Sequence, residues 1–143
     1  MTCQYFPEVQ RFWTDDELLR ILAGCDQSIG YFDNFIRRDK FMRALMCVIN
    51  ETGLPRMTLC RLQRDWLRDD GRLVVPNRGS FQLTWATIVA LSETYPPKRE
   101  LLLPWQTNGR RGFYNALERV FKRAGIPSER RFAWNERRAE QCA

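Results

Sequence analysis

Side chains able to hold a phosphate group are concentrated near the C-terminal end of the sequence. Residues 110–138 contain nine Lys or Arg and three Glu, while the whole chain has a net charge of +6. Clustered basic side chains attract phosphates and displace the counterions that surround nucleic acids. The same excess is also typical of a solvated basic helix, so charge alone leaves both interpretations open. The candidate phosphate contacts in this region are Arg110, Arg111, Lys122, Arg137 and Arg138.

A glycine-flanked pair of arginines offers a second phosphate-binding arrangement. Arg110 and Arg111 lie between Gly109 and Gly112, immediately before a helical pattern. Backbone N–H groups at a helix start and two guanidinium groups can together hold a phosphate. A flexible loop with a helix cap explains the same residues equally well. The aromatic residues within 31–35, beside basic residues at 37–40, suit single-strand binding, but their spacing favours core packing.

The sequence contains no histidine, which removes a large part of enzyme chemistry. Histidine-based acid–base catalysis, Ser–His or Cys–His nucleophile pairs and most catalytic zinc sites are excluded. Five cysteines occur without a Cys-x-x-Cys pair, so neither a zinc site nor a disulfide framework is indicated. The acidic clusters at 15–17 and 69–70 coincide with a helix start and a turn. We expect no metal ion and no cofactor.

Length and composition indicate one domain that spans 1–143, with an N-terminal arm at 1–11 and a tail at 139–143. The chain is 44% hydrophobic and 28% charged, an ordinary mixture for a folded domain. No apolar run approaches the roughly 20 residues that span a bilayer, and no secretion signal is recognisable. We therefore expect a cytoplasmic or nucleoid-associated protein with no membrane partner.

Helical patterns dominate the first half of the chain. Thr14 and Glu17 form the pattern of a capping box, followed by an apolar stripe with Gly24 or Gly30 as its stop. That stripe, which is expected to be buried, comprises Leu18, Leu19, Ile21 and Leu22.

A second, more apolar helix is predicted over 41–50. Its density of apolar residues indicates burial on most sides, and Thr52-Gly53 ends it. Pro55 suits the first turn of a following helix, since its missing N–H does no harm there. This helix is expected to run to about residue 62, with Met57, Leu59 and Leu62 facing inward.

The second half of the chain combines a hairpin with two further helices. The predicted elements are a turn at 69–71, strands at 73–75 and 81–84 joined by Asn77-Arg78-Gly79, helices at 85–95 and 112–124, and a short buried segment at 101–105. The apolar face of the last helix comprises Phe113, Leu117, Val120, Phe121 and Ala124. The predicted fold class is therefore mainly α with a small antiparallel β-hairpin.

The order of these pieces resembles the catalytic domain of tyrosine recombinases, the phage integrase family. Thr52-Gly53-Leu54 after a buried helix is similar to the family's Thr-Gly-Leu-Arg box, and 70–76 resembles its first hairpin strand. The opening helix and the basic helix before residue 126 also follow the family's order. The resemblance covers roughly residues 12–138 and implies a recombinase-like core that lacks the family's C-terminal helices.

The resemblance implies a chemistry for which this chain lacks several groups. In that family a tyrosine attacks a DNA phosphodiester, two arginines hold the phosphate, and a hairpin lysine protonates the leaving oxygen. Here Pro55 stands where the first arginine is required, with Arg56 one position later, and Thr58 replaces the usual acidic partner. The hairpin offers Asn77 and Arg78 in place of lysine. Arginine holds phosphate but is a poor proton donor because it stays charged.

The family's His-x-x-Arg box falls within 132–138, where two registers are open. One register places Trp134 and Arg137 at the histidine and arginine positions, and the other places Ala133 and Glu136 there. The first is preferred because the second sets a negative charge against the phosphate. The family's tyrosine lies beyond this box and the sequence ends at Ala143, so we expect no nucleophile.

These observations predict a catalytically inactive, truncated and degenerate recombinase-like domain rather than an enzyme. DNA is the expected partner, a homo-oligomer is a further possibility, and no small-molecule cofactor is expected. Two alternatives remain open: a decayed remnant, and a protein-interaction or dimerisation module that uses the groove left by the missing helices. The candidate DNA-binding residues are Arg56, Arg78, Arg110, Arg111, Lys122, Arg137 and Arg138.

Overall fold

A computed structural model of the chain describes residues 12–31, 36–94, 100–103 and 110–131. Its elements are helices α1 (Asp15–Asp26), α2 (Arg38–Thr52), α3 (Arg56–Leu59), α4 (Trp85–Ser92) and α5 (Arg110–Ala124), and strands β1 (Arg72–Val75) and β2 (Gly79–Gln82). Single 3-10 turns occur at Arg64–Trp66 and Ser128–Arg130. The mainly helical fold class with a small antiparallel sheet is confirmed. None of the helices in the described ranges is long and apolar enough to cross a membrane.

Helix α1 begins with the predicted capping box. The Glu17 N–H donates to Thr14 Oγ1 at 3.1 Å, and the Thr14 N–H donates to Glu17 Oε1 at 3.0 Å. The helix runs through Gly24, so the predicted stop there was wrong. A Cβ at that position would lie 3.0 Å from the Val120 carbonyl oxygen, so the missing side chain lets α1 approach α5 closely. Leu19, predicted to be buried, is 67% exposed.

Helix α2 is the centre of the core. Every residue from Ala44 to Thr52 is buried, and α2 packs against both α1 and α4. Gly53 ends the helix with φ 68°, a left-handed conformation that glycine adopts without strain. The Thr52 hydroxyl donates to the Val48 carbonyl and accepts from the Leu54 N–H. The predicted burial and stop of this helix are both confirmed.

Helix α3 is shorter than predicted. It ends at Leu59, and Met57, expected to face inward, is 50% exposed, whereas Leu59 and Leu62 are buried as expected. After α3 the backbone pairs with the segment around residue 101, where Gln63 forms a bridge with Leu101. The Leu62 carbonyl accepts from the Leu102 N–H at 2.8 Å.

Strands β1 and β2 form a hairpin as predicted, but β2 begins at Gly79, which was assigned to the turn, and ends at Gln82. Thr84, predicted to end this strand, instead caps α4, where its hydroxyl accepts from the Thr87 N–H. Leu73 pairs with Phe81 and Val75 with Gly79, while the turn residue Asn77 has φ 66°. The segment before β1 extends the hairpin, because Leu67 forms an isolated antiparallel bridge with Leu73. The hairpin packs on α2 through β2.

Helix α5 packs against α1 and contributes its apolar face to the core. Its residues Leu117, Val120, Phe121 and Ala124 are buried as predicted, while the side chain of Phe113 lies outside the described residues. Gly125, with φ 71°, ends the helix.

Candidate nucleic-acid interface

The outer face of α5 carries unpaired cations. Asn115, Arg119 and Lys122 are exposed and follow one another at intervals of four and three residues, which places them in one row along the helix. Neither Arg119 nor Lys122 contacts a carboxylate within the described ranges. Opposite this row, Leu117 and Val120 are buried, so the helix is held by its apolar face. The row is available to a phosphate backbone without first breaking an ion pair.

Other charged residues of α5 are used within the fold. Arg123 Nη1 donates to the Gly24 carbonyl at 2.9 Å and to Ser28 Oγ at 3.2 Å, which satisfies the C-terminal end of α1. Glu118 Oε2 accepts from Arg131 Nη1 at 3.0 Å. The only acidic residue of the α5 sequence is therefore neutralised by an ion pair, so the described part of α5 presents a net positive charge.

Two of the predicted site residues lie elsewhere in the described structure. Arg56 is the first residue of α3, half-buried, and its Nη2 donates to Met57 Sδ at 3.2 Å. Arg78 is exposed in the hairpin turn, and its backbone N–H donates to the Val75 carbonyl at 3.0 Å. Both guanidinium groups lack a carboxylate partner among the residues described.

Several of the predicted DNA-binding residues lie outside the part of the chain that the structure describes. Arg110 and Arg111 begin α5, but their side chains are not described. Arg137, Arg138 and the whole of the predicted box at 132–138 lie outside the described residues, so its register stays a prediction.

Arg56, Arg78 and Lys122 lie on three different elements of the described structure, namely α3, the hairpin turn and α5. One described cavity, of about 530 Å³, is lined by residues of α2 and α4 with Asp26, and another, of about 320 Å³, by residues 63–65 with Glu100. None of the three basic residues lines either cavity. Arg78 and Lys122 are exposed and Arg56 is half-buried, and a set of cations spread over different elements suits contact with an extended phosphate backbone.

Sequence reasoning missed three further exposed cations. Arg61, Arg68 and Arg119 are exposed and have no carboxylate partner in the part of the chain that the structure describes. A signal for the first two was present, because residues 56–68 contain four arginines and a single acidic residue. Arg119 shares a helical row with Lys122, which periodicity alone could have shown.

An ion pair joins the turn after α5 to the start of α1. Arg130 Nη2 donates to Glu17 Oε1 at 2.6 Å and Arg130 Nε donates to Glu17 Oε2 at 3.1 Å, a two-bond arrangement of good geometry. The same guanidinium bonds the Phe12 carbonyl and lies 4.6 Å from the centre of the Phe12 ring. Trp13 Nε1 donates to the Arg130 carbonyl at 2.8 Å. These contacts fix the end of α5, and with it the basic row, against the core.

The pH dependence of stability should report this ion pair. The Arg130 hydrogen bond lowers the pKa of Glu17 from 4.5 to about 2, against the opposing effect of burial. A pKa lowered by folding adds stability that is complete above the unfolded value and is lost as pH falls through the folded value. We expect Glu17→Gln to reduce stability by about 1–2 kcal/mol at pH 7, allowing for solvent screening, with the difference from wild type shrinking between pH 4.5 and 2.

Urea unfolding of both proteins at several pH values measures this difference. Glu129→Gln is the matched control, because Glu129 is exposed and accepts no side-chain hydrogen bond in the described structure. A Glu17→Gln effect of equal size at pH 7 and pH 2.5 contradicts the assignment.

The buried thiols are poorly suited to nucleophilic chemistry. Burial raises the pKa of Cys25 to about 12 and also raises that of Cys47, so both remain protonated at neutral pH. Cys25, Cys47 and Cys60 are free cysteines in the described structure. The described residues contain no group of three or more His, Cys, Asp or Glu that could hold a metal ion.

Helix α4 presents apolar surface to solvent. Its sequence is apolar on all sides, yet Trp85 is 76% exposed and Val89 is 39% exposed. The cavity of about 530 Å³ lies beside this surface, between the ion pairs Arg43–Asp26 and Lys40–Glu93. Exposed apolar surface of this kind is a feature of interaction sites.

Comparison with known proteins found no match among protein-family models, curated proteins or solved structures.

Proposed function

We propose that this chain is a catalytically inactive, integrase-like domain that binds DNA through contacts to the phosphate backbone. The observation that carries the proposal is the exposed row of α5, where Arg119 and Lys122 have no carboxylate partner within the described ranges. Cations that are not engaged in ion pairs contact phosphates without losing an existing partner. Arg56 and Arg78 add exposed or half-exposed charge at the positions where the resemblance expects phosphate contacts.

The departures from the recombinase pattern support the absence of catalysis. Pro55 has φ −75° at the entry to α3, so the residue at the expected arginine position has no side chain that can hold a phosphate. The Arg56 guanidinium lies against a thioether instead of a carboxylate that would orient it. With no histidine in the sequence, the chain also lacks that family's usual acid–base group.

Binding to two 20-bp duplexes of unrelated sequence tests the proposal. We expect measurable affinity for both at 50 mM salt, within about threefold of each other, because phosphate contacts carry no sequence information. Fluorescence anisotropy of labelled duplexes gives both affinities. A nicked substrate that traps covalent recombinase intermediates should yield no covalent complex. Absence of binding at 50 mM salt contradicts the DNA-binding proposal, and a covalent complex contradicts the proposed inactivity.

A protein-interaction or dimerisation module is the second candidate, and α4 is the observation that favours it. Trp85 and Val89 stand four residues apart on one side of the helix and form an apolar strip beside the α2–α4 cavity. Phe132, Trp134 and Trp105, which would line a groove left by missing helices, lie outside the described residues. A tight dimer on a sizing column, without DNA binding, would favour this function over the first.

A further inference from the structure

The segment after α3 carries a second set of unpaired arginines. Arg61 and Arg68 are exposed, and neither side chain makes a hydrogen bond or ion pair within the described ranges. Arg56 precedes them, and its Nη2 donates to the Met57 thioether at 3.2 Å. By contrast, Arg37 and Lys40, at the start of α2, are each paired with a carboxylate. We call Arg56, Arg61 and Arg68 the second basic surface.

Arg56 and Arg61 stand on either side of Cys60 in the chain, at the end of α3. The positive charges of both act on the Cys60 thiol, which stands between them in the chain and whose pKa is nevertheless raised by burial. Neither guanidinium group has a carboxylate contact in the described structure, so each charge remains available to attract an added anion.

The backbone that carries this surface is held on both sides. The Arg64 N–H donates to the Glu100 carbonyl at 2.8 Å, and the Arg68 N–H donates to the Arg72 carbonyl at 2.8 Å. Leu62, between the arginines, is fully buried and anchors the segment to the core. A ligand would therefore not have to order this segment on binding, which removes one of the usual costs of association.

The second basic surface is separate from the α5 row. Helix α5 packs on α1, and α1 packs on α2, whereas the segment 62–68 pairs with β1 and with residues 100–102. Helix α5 thus contacts α1, α1 contacts α2, and α2 contacts the hairpin to which segment 62–68 is paired. Neither Arg119 nor Lys122 has a hydrogen-bond or ion-pair partner in the described ranges, so neither is linked to the second basic surface.

We propose that the second basic surface contacts the DNA phosphate backbone independently of α5, so that the domain holds DNA through two separate sets of arginine and lysine side chains. The inference rests on the proposed function, since it assumes that DNA is the ligand. Asp65 lies between Arg61 and Arg68, is exposed and has no cationic partner in the described ranges. A carboxylate in this position repels phosphate, so its removal should strengthen binding.

Salt-dependent binding to a 30-bp duplex tests the inference. We expect Arg61→Gln/Arg68→Gln to reduce the slope of log affinity against log salt by about two units, one per lost contact, and to weaken binding about tenfold at 100 mM salt. Asp65→Asn should strengthen binding about two- to fivefold. The matched control is Arg37→Gln/Lys40→Gln, which removes the same charge from residues already paired with Asp39 and Glu93 and should change the slope by less than half a unit.

Each outcome separates the inference from the function on which it rests. If the wild-type chain does not bind DNA, the proposed function fails. If wild type binds but Arg61→Gln/Arg68→Gln leaves the slope unchanged, or the control lowers it as much, the second basic surface is wrong while the α5 contacts stand. Failure of Asp65→Asn to strengthen binding also overturns the inference. Circular dichroism of each variant establishes that the exposed substitutions leave the fold intact.

Discussion

Replacing Glu51 with alanine is expected to lower the free energy of unfolding by about 3–4 kcal/mol. Glu51 is only 6% exposed, and its carboxylate accepts the Thr84 N–H at 2.9 Å, the Thr84 hydroxyl at 2.8 Å and the Thr87 hydroxyl at 2.9 Å. The substitution removes the acceptor of the buried Thr87 hydroxyl and of the two half-buried Thr84 donors, and a buried donor left without an acceptor costs about 1–3 kcal/mol. Urea unfolding followed by circular dichroism gives the change.

Two further variants, Glu51→Gln and Glu129→Ala, serve as controls for Glu51→Ala. Glu51→Gln keeps one oxygen acceptor and should cost about half as much as Glu51→Ala. Glu129→Ala removes an exposed carboxylate that accepts no side-chain hydrogen bond in the described structure and should change stability by less than about 0.5 kcal/mol. If Glu51→Ala is no more destabilising than Glu129→Ala, the network does not hold α4 to α2.

Removing the two cations of the α5 row is expected to have the largest effect on DNA binding. Arg119→Gln/Lys122→Gln should weaken affinity for a 20-bp duplex about 10- to 100-fold at 100 mM salt, because two phosphate contacts and their counterion release are lost. Both residues are exposed and neither side chain has a hydrogen-bond or ion-pair partner in the described structure, so stability should be nearly unchanged. Anisotropy titrations of the variant and of wild type measure the difference.

Net charge is the competing explanation for that loss. Arg37→Gln/Lys40→Gln lowers the net charge equally but affects residues that are engaged in ion pairs at the start of α2. We expect less than about twofold weakening for this control. Equal losses in the two variants would mean that the α5 row makes no specific contribution.

Features encoded within a few residues were predictable from the sequence. The capping box of α1 joins Thr14 to Glu17 three residues away, and the stop of α2 needs only a glycine at φ 68°. The hairpin around Asn77 follows from turn residues between two short apolar strands. Each of these depends on neighbours in the chain, so local pattern is sufficient.

Features that depend on distant partners were not predictable in this way. Glu17 bonds Arg130 across 113 residues, and Glu51 bonds Thr84 across 33. Leu19 and Met57 fit helical apolar patterns, but no neighbouring element covers them enough to bury them. Which cations are free for DNA is a question of the same kind. Arg123 and Lys122 are adjacent in sequence, yet Arg123 bonds the end of α1 and Lys122 stays exposed.

The salt dependence of DNA binding by the wild-type chain tests the central claim most directly. Each phosphate contact lowers the slope of log affinity against log salt by about 0.9. At least four contacts therefore predict a slope steeper than about −3 between 50 and 300 mM salt. The residues that make these contacts would include Arg56, Arg78, Arg119 and Lys122. A slope near zero, or no binding at 50 mM salt, would contradict the claim that the exposed cations of this domain hold a phosphate backbone.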